Sequence, residues 1–117
     1  MLKRGLSILL TSKAHSVRAV EKTPIHPGKI WERKGKLIQP ILNKKKGITP
    51  WHSCQYVSLP TYYSQNASLE FSWKGIFEKY KLISGKKVAP LITKGYEGFD
   101  INNEIDFDLA KIIINKI

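Results

Sequence analysis

An α/β fold is predicted for this chain from the periods of its apolar residues. Near each end they recur at helical spacing, at Leu2, Leu6, Leu9 and Leu10 and again at Ile105, Leu109, Ile112 and Ile113. Between these stretches lie short β-prone runs, Ser16–Val20, Tyr62–Trp73 and Lys87–Thr93, punctuated by Gly and Pro. With 42% hydrophobic and 10% aromatic residues, the chain belongs with folded proteins and not with disordered ones. A length of 117 residues allows one domain with a modest core.

The elements follow in order. The first twelve residues read as a helix whose leucines share one face. The same basic, acid-free start also resembles a mitochondrial presequence, but the pattern that continues without a break favours the helix. His15 reads as a surface or capping residue, and Ser16–Val20 as the strand of an αβ unit. Pro24, Pro27 and Gly28 interrupt regular structure. Trp31, Leu37, Ile38, Ile41 and Leu42 alternate with charges around Lys34-Gly35-Lys36, which predicts a β-ribbon.

Lys44–Pro50 is expected to be a loop, and the strand Tyr62–Trp73 carries Asn66 at its middle or at a bend. Lys74–Lys81 reads as a short helix with Ile76, Phe77 and Tyr80 inward, and Pro90 places the strand Lys87–Thr93 at an edge or a bulge.

The formal net charge of +11 invites a nucleic-acid or anionic-surface reading. No zinc-finger, RNP or basic-zipper pattern accompanies it, and the lysine run Lys44–Lys46 reads as a solvated loop. One cysteine, Cys54, excludes an internal disulfide and suits a reducing, cytoplasmic compartment. A buried thiol is its expected state. No apolar run approaches the roughly 20 residues of a membrane span.

Five of the nine acids fall between Glu97 and Asp108. This stretch reads as a strand end at Asp100, an acidic turn, and a helix capped by Asn102 or Asn103. Glu104, Asp106 and Asp108 then suit the positive end of the helix dipole. Two readings stand side by side: acids that serve a helix start, or a carboxylate at a strand's C-terminal end, where open α/β sheets bind ligands.

Phe99–Ala110, Phe-Asp-Ile-Asn-Asn-Glu-Ile-Asp-Phe-Asp-Leu-Ala, resembles the closing motif of the acylneuraminate cytidylyltransferase family, which includes the CMP-sialic acid synthetases. Ala14–Lys22 resembles the strand before that family's dimerisation segment, and Ile25-His-Pro-Gly-Lys is similar to its His-Pro with a nearby lysine. Gln55–Ala67 looks like its Gln-x-Leu-Pro…Tyr-x-x-Asn-Gly segment. The departures are Ser64 for an arginine, Ala67 for a glycine, Glu70 for a tyrosine and Asn102 for the second aspartate of Asp-Ile-Asp. The strings Gln65-Asn-Ala-Ser-Leu-Glu and Gly95-Tyr-Glu-Gly-Phe-Asp-Ile-Asn look more like the bacterial surface-polysaccharide branch of the family than like the sialic acid enzymes proper.

The resemblance implies the C-terminal half of a Rossmann-like nucleotide-diphospho-sugar transferase fold, with an extended β-ribbon dimerisation segment and a homodimer. Over residues 1–117 it implies a single partial domain without the CTP-binding half, since no Gly-rich phosphate loop is present. The complete enzyme would join CTP and an acidic keto-sugar into a CMP-sugar, releasing pyrophosphate. By the same resemblance Lys29, Gln55 and Asn66 bind the sugar. Asp100 is the catalytic residue and holds Mg²⁺, with Asn102 as a weaker ligand and Asp106 in reserve. Mg²⁺ suits such a site because it takes one or two carboxylates and completes its shell with phosphate oxygens. The rival classes are a small basic nucleic-acid- or ribosome-associated protein, against which the lack of any stacking or groove-reading pattern argues, and a catalytically dead dimerisation module; nucleic acid is accordingly not the expected partner.

Overall fold

In the computed structural model, which describes Met1–Ile117, the elements run α1 (Leu2–Ser12), β1 (Ser16–Lys22), β2 (Trp31–Lys34), β3 (Leu37–Pro40), β4 (Lys45–Lys46), β5 (Thr49–Pro50), β6 (Tyr63–Ser72), α2 (Lys74–Tyr80), β7 (Val88–Ile92) and α3 (Glu104–Ile114). Where one domain is expected, the chain divides into two compact units. Met1–Glu21 and Gln65–Ile117 form the first, and the inserted Lys22–Ser64 forms the second.

The first unit is built on a three-stranded sheet of order β6-β1-β7, in which β1 runs parallel to β7. Pro90 sits in β7, at the sheet edge, where its missing N–H is tolerated. Val17 and Leu91 are fully buried with Leu9 of α1, and Ile8, Leu69, Phe71 and Ala89 pack around them. Burial of one such side chain is worth about 1.5–3 kcal/mol, so this small core holds the unit with little to spare.

α1 forms as expected but turns a different face inward. Gly5 and Leu9 are buried, whereas Leu2, Leu6 and Leu10 are exposed. The cause is close approach: a Cβ on Gly5 would lie 2.6 Å from Leu69 Cδ2 and 3.0 Å from Phe71 Cε2. The helix therefore meets the sheet at the one position that lacks a side chain.

His15, expected at the surface, is a tie between segments. Its Nδ1 accepts from the Lys86 and Lys87 amides at 2.9 and 3.3 Å, and its ring stacks on Tyr80. In α2, Ile76 and Tyr80 are half-buried but Phe77 is exposed.

The acidic stretch departs most from expectation. No strand ends at Asp100; β7 stops at Ile92, and a turn through Gly95 (φ 55°) to Gly98 leads on to α3. α3 is capped as predicted, with Asn103 Oδ1 accepting the Asp106 amide at 2.9 Å. Its expected buried face is absent: no residue of α3 is buried, and Ile105, Leu109 and Ile112 all face solvent.

The second unit holds the predicted ribbon. β2 and β3 pair antiparallel around a two-residue turn, with Gly35 at φ 62°. Lys44–Pro50, expected as a loop, forms the small hairpin β4–β5 around Gly47. Its interior is aromatic: His26 is fully buried against the edges of Trp51, Tyr56 and Tyr62. His26 Nδ1 accepts from the Gly28 amide at 3.0 Å, which leaves Nε2–H to donate to the Pro60 carbonyl at 2.8 Å. Cys54 is half-buried, its Sγ 3.4 Å from the Pro50 carbonyl.

No helix is long and apolar enough to cross a membrane.

Candidate functional site

β1 alternates in side-chain direction. Val17 and Ala19 are fully buried, and Arg18 between them points to the other face. There Arg18 Nη1 donates to Gln65 Oε1 at 2.6 Å, and Nη2 pairs with the Glu70 carboxylate. Gln65 and Glu70 are five residues apart, so a regular strand would send them to opposite faces.

Asn66 resolves this. Its Oδ1 takes the Ser68 amide at 3.2 Å, a local bond that competes with the sheet ladder. Burial along β6 alternates as far as Ser68 and then slips by one residue at Leu69. The slip brings both Gln65 and Glu70 within reach of one guanidinium.

The turn after β7 completes the site. Ser68 Oγ donates to the Glu97 carbonyl, and Gly98 lies so close that a Cβ there would be 2.8 Å from Asn66 Nδ2 and 2.9 Å from Thr93 Oγ1. Asn66 Nδ2 itself reaches Thr93 Oγ1 at 3.3 Å. With glycine the turn lies flat on Asn66 without displacing its amide or the Thr93 hydroxyl, and the chain then delivers Asp100 beside it.

Arg18, Gln65, Asn66, Glu70 and Asp100, with Ala67 and Leu69, line a cleft of about 430 Å³. That volume lies in the usual range for small-molecule sites, roughly 300–1,000 Å³.

Glu97 anchors this turn from outside the cleft. Arg4 of α1 clasps its carboxylate in two bonds, at 2.8 and 3.2 Å, and the Lys94 amide adds a third at 2.7 Å. The Arg4 hydrogen bonds first, and the Lys94 amide second, hold the Glu97 carboxyl down at about 2.

Of the residues singled out from sequence, Asn66 and Asp100 come together in the cleft. Asn102 joins Asp100 directly, its Nδ2 donating to Asp100 Oδ2 at 3.2 Å, so it presents its amide N–H₂ to the carboxylate. Asp106 accepts the Asn102 amide at 3.0 Å as part of the helix cap.

Lys29 and Gln55 lie in the second unit. The Lys29 ammonium is held by the carbonyls of His52, at 3.3 Å, and Cys54. Gln55 is exposed and its side chain makes no capping bond. Arg18, Gln65 and Glu70 were not legible as site residues, although a charged residue between buried Val17 and Ala19 is the one trace that β1 offers.

No group of three or more His, Cys, Asp or Glu converges where a metal ion could be held. Asp100 is the one carboxylate of the cleft outside an ion pair, since Glu70 is paired with Arg18. This donor set falls short of a self-sufficient metal site and fits only a Mg²⁺ that arrives on a triphosphate. The chain matches no protein-family model, and no curated protein matches it at a significant level.

Proposed function

We propose that the chain binds an acidic keto-sugar in the cleft of the first unit, as the sugar-acid part of a cytidylyltransferase. The observation that carries this reading is the convergence of Asn66 and Asp100, 34 positions apart, in one polar cleft beside Arg18. A guanidinium suits a carboxylate because its planar fork can donate two parallel bonds. Two of the five Arg18 N–H groups are occupied by Gln65 and Glu70. The Gln65 and Asn66 amides can both donate to and accept from sugar hydroxyls.

In the reaction proposed, a sugar hydroxyl oxygen bonds to the α-phosphorus of CTP while the bond to the β-phosphate oxygen breaks. Asp100 accepts the hydroxyl proton, and pyrophosphate leaves. Mg²⁺ carried by the triphosphate, with Asp100 as its one protein carboxylate, would offset the charge on the leaving group.

Titration with N-acetylneuraminate, followed by amide NMR shifts, tests the binding step. Shifts at Asn66, Glu70 and Asp100 are expected. Arg18→Ala should weaken binding about tenfold or more through loss of a charge-assisted pair, and the neutral methyl ester should bind as poorly as that variant binds the acid. An ester that binds as well as the acid, or shifts confined to Lys22–Ser64, would remove the cleft from the reading.

A further inference from the structure

The charge of this protein is not spread evenly. Lys22–Ser64 carries eight lysines and arginines against a single acid, Glu32, so this minor part of the chain holds +7 of the total +11. All five ion pairs lie in the first unit, and no cation of the second is paired with a carboxylate. The partners that its cations do find are neutral. Arg33 Nε donates to the Gly35 carbonyl, Lys46 to the Ser58 carbonyl, and Lys44 lies over the Trp51 ring. Neutral acceptors orient these groups and leave their charge uncompensated.

The ribbon shows what such a surface can receive. Cross-strand partners share a face, and here the pairs are Arg33 with Ile38 and Lys34 with Leu37. Adjacent pairs point to opposite faces, so each face carries one cation beside one exposed aliphatic side chain, and the face of Lys34 also holds Glu32. Neither face is apolar enough to enter a bilayer without burying a charge. Two copies meeting through the same patch would set lysines against lysines, since a two-fold contact repeats one surface on both sides.

An aromatic side chain is exposed on this ribbon as well. Trp31 shares its face with Arg33 and remains 41% exposed, with the His52 ring packed against it at 4.7 Å. Uncompensated cations with an exposed aromatic ring are the pairing that single-stranded nucleic acid requires, with phosphates on the cations and a base on the ring.

We infer that the second unit is a docking surface for single-stranded nucleic acid. Its backbone phosphates lie along Arg33, Lys36 and Lys44–Lys46, and one base stacks on Trp31. The surface is distinct from the sugar-acid cleft and does not depend on it.

The test is fluorescence anisotropy of a labelled oligouridylate of about 15 nucleotides with the full chain, between about 50 and 200 mM salt. Binding should weaken with salt, at a slope of about −0.7 in log–log form for each phosphate neutralised. Arg33→Gln with Lys36→Gln, and separately Lys45→Gln with Lys46→Gln, should each flatten that slope by about 1.4. Lys86→Gln with Lys87→Gln, in the first unit, should leave it unchanged. Trp31→Ala should weaken binding about tenfold and Trp31→Phe much less, with circular dichroism confirming that each variant stays folded.

The inference is overturned if the oligonucleotide fails to bind at the lower salt, or if the Lys86/Lys87 pair flattens the slope as much as the ribbon pairs do. It is equally overturned if phosphatidylserine vesicles or polyglutamate compete at lower concentration than unlabelled oligonucleotide. Dimerisation that the ribbon substitutions abolish would assign the surface to a second copy instead.

Discussion

Asp100 and Asp106 sit six positions apart and do different work. Asp100 lines the cleft, while Asp106 both accepts the Asn102 amide and gives its own amide to Asn103. Asp100→Asn should therefore tighten binding of the anionic sugar acid, by removing a like charge from the cleft, and leave the melting temperature nearly unchanged. Asp106→Asn should leave binding intact and destabilise by less than about 1 kcal/mol, since it removes a negative charge at the helix start and keeps the bonds of the cap. Calorimetric titration and thermal melting of both variants separate the two roles, and equal effects on binding would make Asp100 a cap residue too.

Glu97 supplies a pH dependence whose sign is determined. Its carboxyl is held at about 2 in the folded protein against an ordinary value of 4.5. A depressed acid stabilises the fold fully above its unfolded value, and that contribution is lost as pH falls from about 4.5 towards 2. Glu97→Gln should remove the Arg4 ion pair and flatten stability against pH across that window. An unchanged slope in acid denaturation would show that the clasp between α1 and the turn contributes nothing.

At the scale of elements, the approach of α1 to the sheet depends on Gly5. Alanine there gains helix propensity worth up to about 1 kcal/mol. Its Cβ would nevertheless press on Leu69 and Phe71, and overpacking typically costs about 1–3 kcal/mol. A net loss of stability is expected for Gly5→Ala in urea denaturation, and a gain would mean that the Leu69 side chain swings aside freely. In the second unit, His26→Ala would strand the Gly28 amide and the Pro60 carbonyl within a ring of aromatics. A loss of about 3 kcal/mol is expected, at about 1–3 for each buried group left unpaired; a loss below about 0.5 kcal/mol would show that water reaches both groups.

At the scale of the whole molecule, two units with separate interiors divide the chemistry, a polar cleft in one and uncompensated cations in the other. No Gly-rich phosphate loop occurs in these 117 residues. The chain by itself should accordingly release no pyrophosphate from CTP in the presence of a nonulosonic acid. Turnover by the purified chain would place a nucleotide site on residues that form no Gly-rich loop.

Period and local chemistry were enough for most elements. Helical spacing placed α1 and α3, β-prone runs placed β1, β6 and β7, Gly35 placed the hairpin, and Asn103 with Asp106 capped α3, because each depends on residues within a few positions of one another. What lay beyond that range was decided by tertiary structure. Leu9 belongs to two possible stripes of α1, and only the contact of Gly5 with Leu69 and Phe71 selects the one that is buried. The acidic stretch lies on β6 as a turn and not as a strand, because Gly98 can press against Asn66 from 32 positions away. The cleft likewise needs the slip at Leu69 to turn Gln65 and Glu70 towards Arg18, 47 and 52 positions earlier. Hydrophobic period records which face of an element is apolar. It does not record which distant backbone comes close enough to select a face, and that selection made the cleft.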